Sequence, residues 1–281
     1  MSLVLALLAA QVGPLVMPGA APPLPHQTQI EARRPPRRAK APPSAAASPS
    51  RQQACLDLAE RAPDAAEADA RSWLAGAQGA EKALAGECLG VALGRRDQWQ
   101  AAEAAFLAAR DAATDQMQRA RLGAMAGNAA LAASDAPASL AALDAARAEA
   151  AGDPALAGGI AADRARALVA LKRNDEAATA LAEARELAPG NAQAWLLSAT
   201  LSRRMDKLAD AQAQIEKAAA LQPADPGIGL EAGVIAVLAG HDEAARRSWQ
   251  SVVAAAPDSD EAATANGYLA QLGPAPREAR P

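Results

Sequence analysis

Small and bulky apolar residues in the carboxyl-terminal half of the chain recur with a period far longer than one helical turn. Ala165, Ala199 and Gly233 stand thirty-four residues apart, and Ala177, Ala211 and Ala245 keep the same spacing. The bulky set Leu181, Ile215 and Trp249 follows in register, then Ala184, Ala218 and Val252, and the prolines Pro189, Pro223 and Pro257 close each unit. Two helices approach closely only where small side chains face each other, and a bulky residue fills the space beside that contact. Proline cannot donate the backbone bond that continues a helix, so it ends the second helix of each unit at the same place. Each unit is therefore predicted to be a helix hairpin, and a fixed period of this length predicts hairpins stacked into a solenoid.

The same pattern continues upstream with insertions. Leu89, Gly90, Leu93, Trp99, Ala102, Phe106 and Ala109 mark a good unit that begins near Ala83 and lacks the closing proline. A weaker unit runs from about Ala120 to Ala157, with Gly127, Leu143 and Ala146 at the expected offsets and a stretched connection through Gly152, Asp153 and Pro154. Gln52 to Gly79 reads as a degenerate hairpin broken at Pro63 and Asp64. After the last proline, Asp258 with Glu261 predicts a capping box for one closing helix that stops at Gly273 and Pro274. Heptad order is absent and the prolines recur regularly, which argues against a long coiled coil or a bundle.

Asn191 to Pro223 resembles the tetratricopeptide repeat, with Trp195, Ala199, Ala211, Ile215, Ala218 and Pro223 at the signature positions of that family. Ser198 and Ser202 depart from it, standing where the family has a leucine and a large aromatic or aliphatic residue, and predict a looser first helix. The resemblance implies an all-α solenoid of about six hairpins plus a capping helix over residues 51–273, with a flexible tail at 274–281.

Composition changes the energetics more than the fold. Hydrophobic residues make up 51% of the chain but aromatic ones only 2%, because alanine supplies most of the apolar count. Alanine favours helix yet buries little area, so stability must accumulate from many modest contacts along the stack. Trp73, Trp99, Phe106, Trp195 and Trp249 are expected to plug the core. Of the net charge of −4, residues 1–51 carry a surplus of +5 and the remainder −9. An acidic body argues against nucleic acid as a partner.

The amino-terminal segment, residues 1–21, reads as a secretory signal: an apolar run from Leu3 to Ala10, then Val12 to Val16 interrupted at Gly13 and Pro14, then Gly19, Ala20 and Ala21. It is too short and too broken for a transmembrane helix. Against export stand the lack of a preceding Lys or Arg and the basic cluster from Arg33 to Lys40 just after it. No cysteine sits near the end of the run, so no lipid attachment is expected. Residues 22–50 are rich in Pro, Ala, Arg and Ser and predict a disordered linker. The bias toward Ala, Arg and Pro suggests a GC-rich bacterial genome. The expected location is periplasmic or secreted, or cytoplasmic if the apolar run is not an export signal.

Catalytic chemistry finds little material. The two histidines, His26 in the linker and His241 in a turn, offer neither a metal site nor a hydrolytic triad. Gly227, Gly229 and Gly233 have the wrong spacing for a nucleotide loop and no preceding strand, so they are assigned to a repeat helix, where Gly233 serves close packing. No cofactor and no enzyme activity are expected. Cys55 and Cys88, thirty-three residues apart, fall on the first helices of adjacent hairpins, where a disulfide staple, two free thiols or a redox pair are all open readings.

The resemblance implies a scaffold or adaptor that binds a protein or an extended peptide in a concave groove lined by the first helix of each hairpin. Alternatives are a structural envelope protein that contacts itself or peptidoglycan, and a noncatalytic regulatory subunit of an enzyme. A monomer is expected. Counting along the first helices points Arg121, Asn128, Arg166, Thr200, Arg203 and Arg204 toward the groove as a basic strip, beside apolar Leu230, Val234 and Val237. Asn128 matches one position of the family's carboxylate clamp, but Ala124 and Asp163 occupy others, so that clamp is not intact. The plainer reading pairs Arg166 with Asp163 one turn away and leaves Arg203 and Arg204 in solvent.

Overall fold

The computed structural model describes residues 50–273, which form thirteen α-helices and no strand. Six hairpins follow one another: α1 (Arg51–Arg61) with α2 (Pro63–Gly76), α3 (Glu81–Gly94) with α4 (Trp99–Ala112), α5 (Gln116–Ala132) with α6 (Ala136–Glu149), α7 (Pro154–Ala170) with α8 (Asn174–Leu187), α9 (Ala192–Arg204) with α10 (Leu208–Leu221), and α11 (Pro226–Leu238) with α12 (Asp242–Ala255). A single helix, α13 (Asp260–Leu272), closes the stack. The apolar run from Leu3 to Ala10, the linker to residue 49 and the tail at 274–281 lie outside the described residues.

The ends of the helices follow local chemistry. Asp115, Asp135, Asp153, Asn191 and Asp225 each accept a backbone N–H of the helix they precede. Pro189, Pro223 and Pro257 disfavour the helical region for the residue before them, and Ala188, Gln222 and Ala256 accordingly leave it at the ends of α8, α10 and α12. From the second hairpin to the sixth, the turn inside the hairpin has a left-handed residue: Asp97, Ser134, Lys172, Asp206 and Gly240 in chain order, with φ between 57 and 77°. The next amide bonds back across that turn, Arg173 N to Leu168 O and Lys207 N to Ser202 O at 2.9 Å, and this terminates the first helix.

Two boundaries differ from the sequence expectation. The third hairpin starts earlier, at Gln116 behind the Asp115 cap, and ends at Glu149, so that Asp153 and Pro154 open α7 and Ala157 lies inside it. At the closing helix Ser259, not Asp258, is the cap, its hydroxyl accepting the Ala262 amide at 3.0 Å. Ser259 wins because it directly precedes the first helical residue.

Packing repeats with the sequence. Ala177 and Ala211 are fully buried, as are the corresponding Ala102 and Ala245, and Leu181, Ile215 and Trp249 are buried beside them. A methyl group on Gly233 would overlap the Trp249 indole, and one on Gly90 would overlap the Phe106 ring, so these glycines are the holes that the aromatic knobs enter. Trp73, Phe106 and Trp249 are buried plugs, whereas Trp99 and Trp195 are only half-buried. The latter two sit at the margins of their hairpins, and the Trp195 indole donates to the Pro189 carbonyl at 2.9 Å. Helix α9 runs unbroken through Ser198 and Ser202, because both hydroxyls find partners, the Ala194 carbonyl at 2.7 Å and the Gln214 amide oxygen at 2.8 Å.

Candidate partner-binding groove

Each first helix packs against its own second helix and also touches the first helix of a neighbouring hairpin, as α5 touches α7, α7 touches α9, and α9 touches α11. One face of the stack is therefore lined by first helices, in contact from α1 to α3 and from α5 through α7 and α9 to α11, and it bears the side chains that the sequence pointed at a groove.

Between α7 and α9 this face opens into a cavity of about 220 Å³. Ala165, Val169, Leu181, Leu197 and Leu201 give it an apolar floor, and Arg166, Thr200 and Arg204 stand at its edge. The repeat produces that floor, since Ala165 and Leu181 are core positions that meet Leu197 and Leu201 of the next hairpin.

The expected basic strip is partly neutralised. Asn128 donates to the Asp163 carboxylate at 2.7 Å, and Arg166 reaches the same carboxylate at 3.3 Å and the Asn128 carbonyl at 3.5 Å. Arg203 is neither in solvent nor free to bind, because Glu231 on α11 holds it with two bonds of 2.7 and 3.3 Å. Arg121 and Arg204 have no ion-pair partner among the described residues. Arg121 acts through its charge on Glu87, a half-buried carboxyl pushed above the ordinary Glu range by burial and pulled back by the Gln52 amide and by Arg121. The structure thus brings Asn128 and Arg166 into one cluster and Arg166, Thr200 and Arg204 around one cavity, and it ties Arg203 to its neighbour.

Two further cavities flank this one, and the residue count did not foresee the first. It measures about 540 Å³ between α3 and α5, with Gly90, Gly94, Phe106, Trp99 and Met125 in its walls and Arg95, Asp97 and Asn128 at its polar end. Gly90 and Gly94 sit directly against the Phe106 and Trp99 rings, so both rings help to wall this cavity. The second, about 300 Å³, lies between α11 and α13, where Val234 and Val237 meet Trp249, Tyr268 and Leu272. The apolar strip is therefore shared with the closing helix. Leu230 packs into the core beside it.

Equivalent positions of successive hairpins lie side by side, and the period itself could have signalled several of these contacts. Gln52 donates to Glu87 at 2.8 Å and Asn128 to Asp163, each thirty-five residues on, and Arg147 pairs with Glu183 thirty-six residues on. The cysteines follow the same rule. Cys55 on α1 and Cys88 on α3 are joined by a disulfide, with their Cα atoms 6.0 Å apart and both side chains buried.

Among the described residues no group of three or more His, Cys, Asp and Glu is placed to hold a metal, and no helix is long and apolar enough to cross a membrane. No protein-family model matches the sequence, and no curated protein is similar to it. Solved structures do share the architecture. The Pseudomonas aeruginosa protein PilF is 14% identical over 78% of this chain and 96% of its own, with a TM-score of 0.61. BtubC from P. vanneervenii is 15% identical over 83% of this chain and 98% of its own, with a TM-score of 0.58. A chain of the APC/C hetero-tetramer Cut9–Hcn1 is 11% identical over 77% of this chain and 42% of its own, with a TM-score of 0.59.

Proposed function

The chain has the fold of tetratricopeptide-repeat proteins, and on that premise we infer that it is a noncatalytic scaffold that holds an extended peptide segment of a partner protein against its first-helix face. The observation that carries this reading is the cavity between α7 and α9, an apolar floor edged by Arg166 and Arg204. Such a site favours a segment with an aliphatic side chain for the floor and a carboxylate for the rim, where arginine forms charge-assisted bonds. The cavity lined by Phe106 and Trp99 offers room for a bulkier apolar residue of the same segment. The body works outside the cytoplasm, as an adaptor of the bacterial cell envelope. Support for that location is the signal-like sequence of residues 1–21 together with the Cys55–Cys88 disulfide, a bond that persists in oxidising compartments.

An array of extended peptides of varied charge and apolarity, probed with the purified protein, tests the reading. Acidic peptides with aliphatic residues should be retained. The double variant Arg166→Glu with Arg204→Glu should weaken them by about tenfold or more while circular dichroism stays helical. Equal retention by that folded variant, or a preference for basic peptides, would remove the groove assignment.

A further inference from the structure

On the opposite side of the Leu181–Leu201 contact lies a smaller cavity of about 120 Å³, walled by α8, α9 and α10 and therefore facing away from the row of first helices. Its chemistry differs from that of the groove. Arg185 enters it from α8 with its guanidinium 5.2 Å from the centre of the Trp195 ring and one N–H donated to the Ser198 hydroxyl. Ser198 and Ser202 are both buried, and they stand at the two positions where the resembling family has apolar side chains. The Ser202 hydroxyl donates to the Gln214 amide oxygen, which leaves the amide nitrogen of Gln214 with no partner among the described residues. Lys207 and Asp210 complete the wall. Arg185 makes no ion pair with Asp210 or with any other described carboxylate, and burial lowers its pKa because the cation loses more water than it gains in partners. Asp210 offsets that loss only in part, through its field and without a bond, and an anion supplied from outside would offset more of it.

We propose that this cavity is a second binding site, specific for a carboxylate, with Arg185 as its principal donor and Ser198, Gln214 and Lys207 as its polar wall. The Trp195 ring and the Ser198 hydroxyl hold the guanidinium in place, and its fork of N–H groups matches the two oxygens of a carboxylate. The volume admits a small organic acid, or the side chain of an Asp or Glu from a bound protein, and excludes a nucleotide. Asp210 opposes the anion, so the site is weak in isolation and best suited to one anchoring residue of a larger partner. It does not depend on occupancy of the groove.

Tryptophan fluorescence reads this site through Trp195. Acetate, N-acetyl-aspartate amide and phosphate are titrated separately into the full chain at constant ionic strength, with chloride as the control. A saturable response to acetate and to the blocked aspartate, but not to phosphate, is expected. A response to acetate alone assigns a free acid, and one to the blocked aspartate assigns an acidic side chain. Arg185→Gln should weaken the response by about tenfold or more, Asp210→Asn should strengthen it, and the folded groove variant Arg166→Glu with Arg204→Glu should leave it unchanged. If Arg185→Gln does not fold, Ser198→Val, which removes the hydroxyl and fills the cavity, serves in its place. A linear response like that of chloride, a preference for phosphate, or a saturable response that survives in the folded Arg185→Gln or Ser198→Val variant overturns the proposal.

Discussion

Glu87 shows how one residue couples the core to the groove. It lies half-buried on α3, bonded to Gln52 of the preceding hairpin and within the field of Arg121 on the following one. Burial raises its pKa, so the folded chain binds this proton more tightly than the unfolded chain does. Its ionisation therefore costs stability. The cost is fully present above the raised folded pKa, shrinks as the pH falls through it, and is absent below the ordinary Glu pKa, where both states are protonated. Glu87→Gln, which keeps the shape and a bonding partner for Gln52, is expected to raise the urea midpoint at neutral pH and to leave it unchanged in acid. A lower midpoint at neutral pH would mean that the bonds to Gln52 and Arg121 outweigh burial. Left-handed residues are a second cost at this scale, since Asp97, Ser134, Lys172 and Asp206 do without the glycine that occupies the same turn at Gly240.

At the scale of elements, the first hairpin is expected to be the weakest member of the stack. Helices α1 and α2 bury mostly alanine, with Trp73 as their only large buried side chain. The disulfide compensates by tying α1 to α3, and closing a loop of this length stabilises by about 4 kcal/mol in the chain-entropy account. Because hairpins in a solenoid depend chiefly on their neighbours, loss of the staple should act locally. In Cys88→Ser, hydrogen exchange of α1 and α2 is expected to speed up strongly while α7 to α12 keep their protection. Uniform loss of protection along the chain would instead mean that the body unfolds as one cooperative unit. Alkylation of unreduced protein from the native compartment tests the bond in the cell, and two accessible thiols there would contradict both the staple and the export reading.

Across the whole body, the period transmits fit from hairpin to hairpin and needs a terminus that stops it. Helix α13 supplies one: Tyr268 packs on Trp249 with ring centres 5.1 Å apart, and Leu269 and Leu272 join Val234 and Val237 in the apolar cluster around that indole. Arg246 bonds the Gly273 carbonyl at 2.7 Å and fixes the end of that helix. A chain ending at Pro257 would expose the Trp249 face of the last hairpin, a contiguous apolar patch of the kind that drives association. It is expected to self-associate in light scattering and to melt first in α11 and α12. A monomeric truncation with unchanged melting would show that α13 contributes no cap.

The sequence alone determined the hairpin count, the place of every closing proline, the alanine seams and the adjacency of Cys55 and Cys88, because these depend on contacts that recur at one period and on backbone limits that proline and capping residues impose locally. Tertiary structure alone decided which charges remain available. Arg203 and Glu231 lie twenty-eight residues apart, off the main period, and meet only because α9 and α11 are offset where they pack. Arg185 likewise counts as one more charged residue on a repeat helix until Trp195, Ser198 and the start of α10 enclose it. Long side chains choose partners according to the lateral shift between helices and the water that packing removes, and neither quantity is written in the repeat itself.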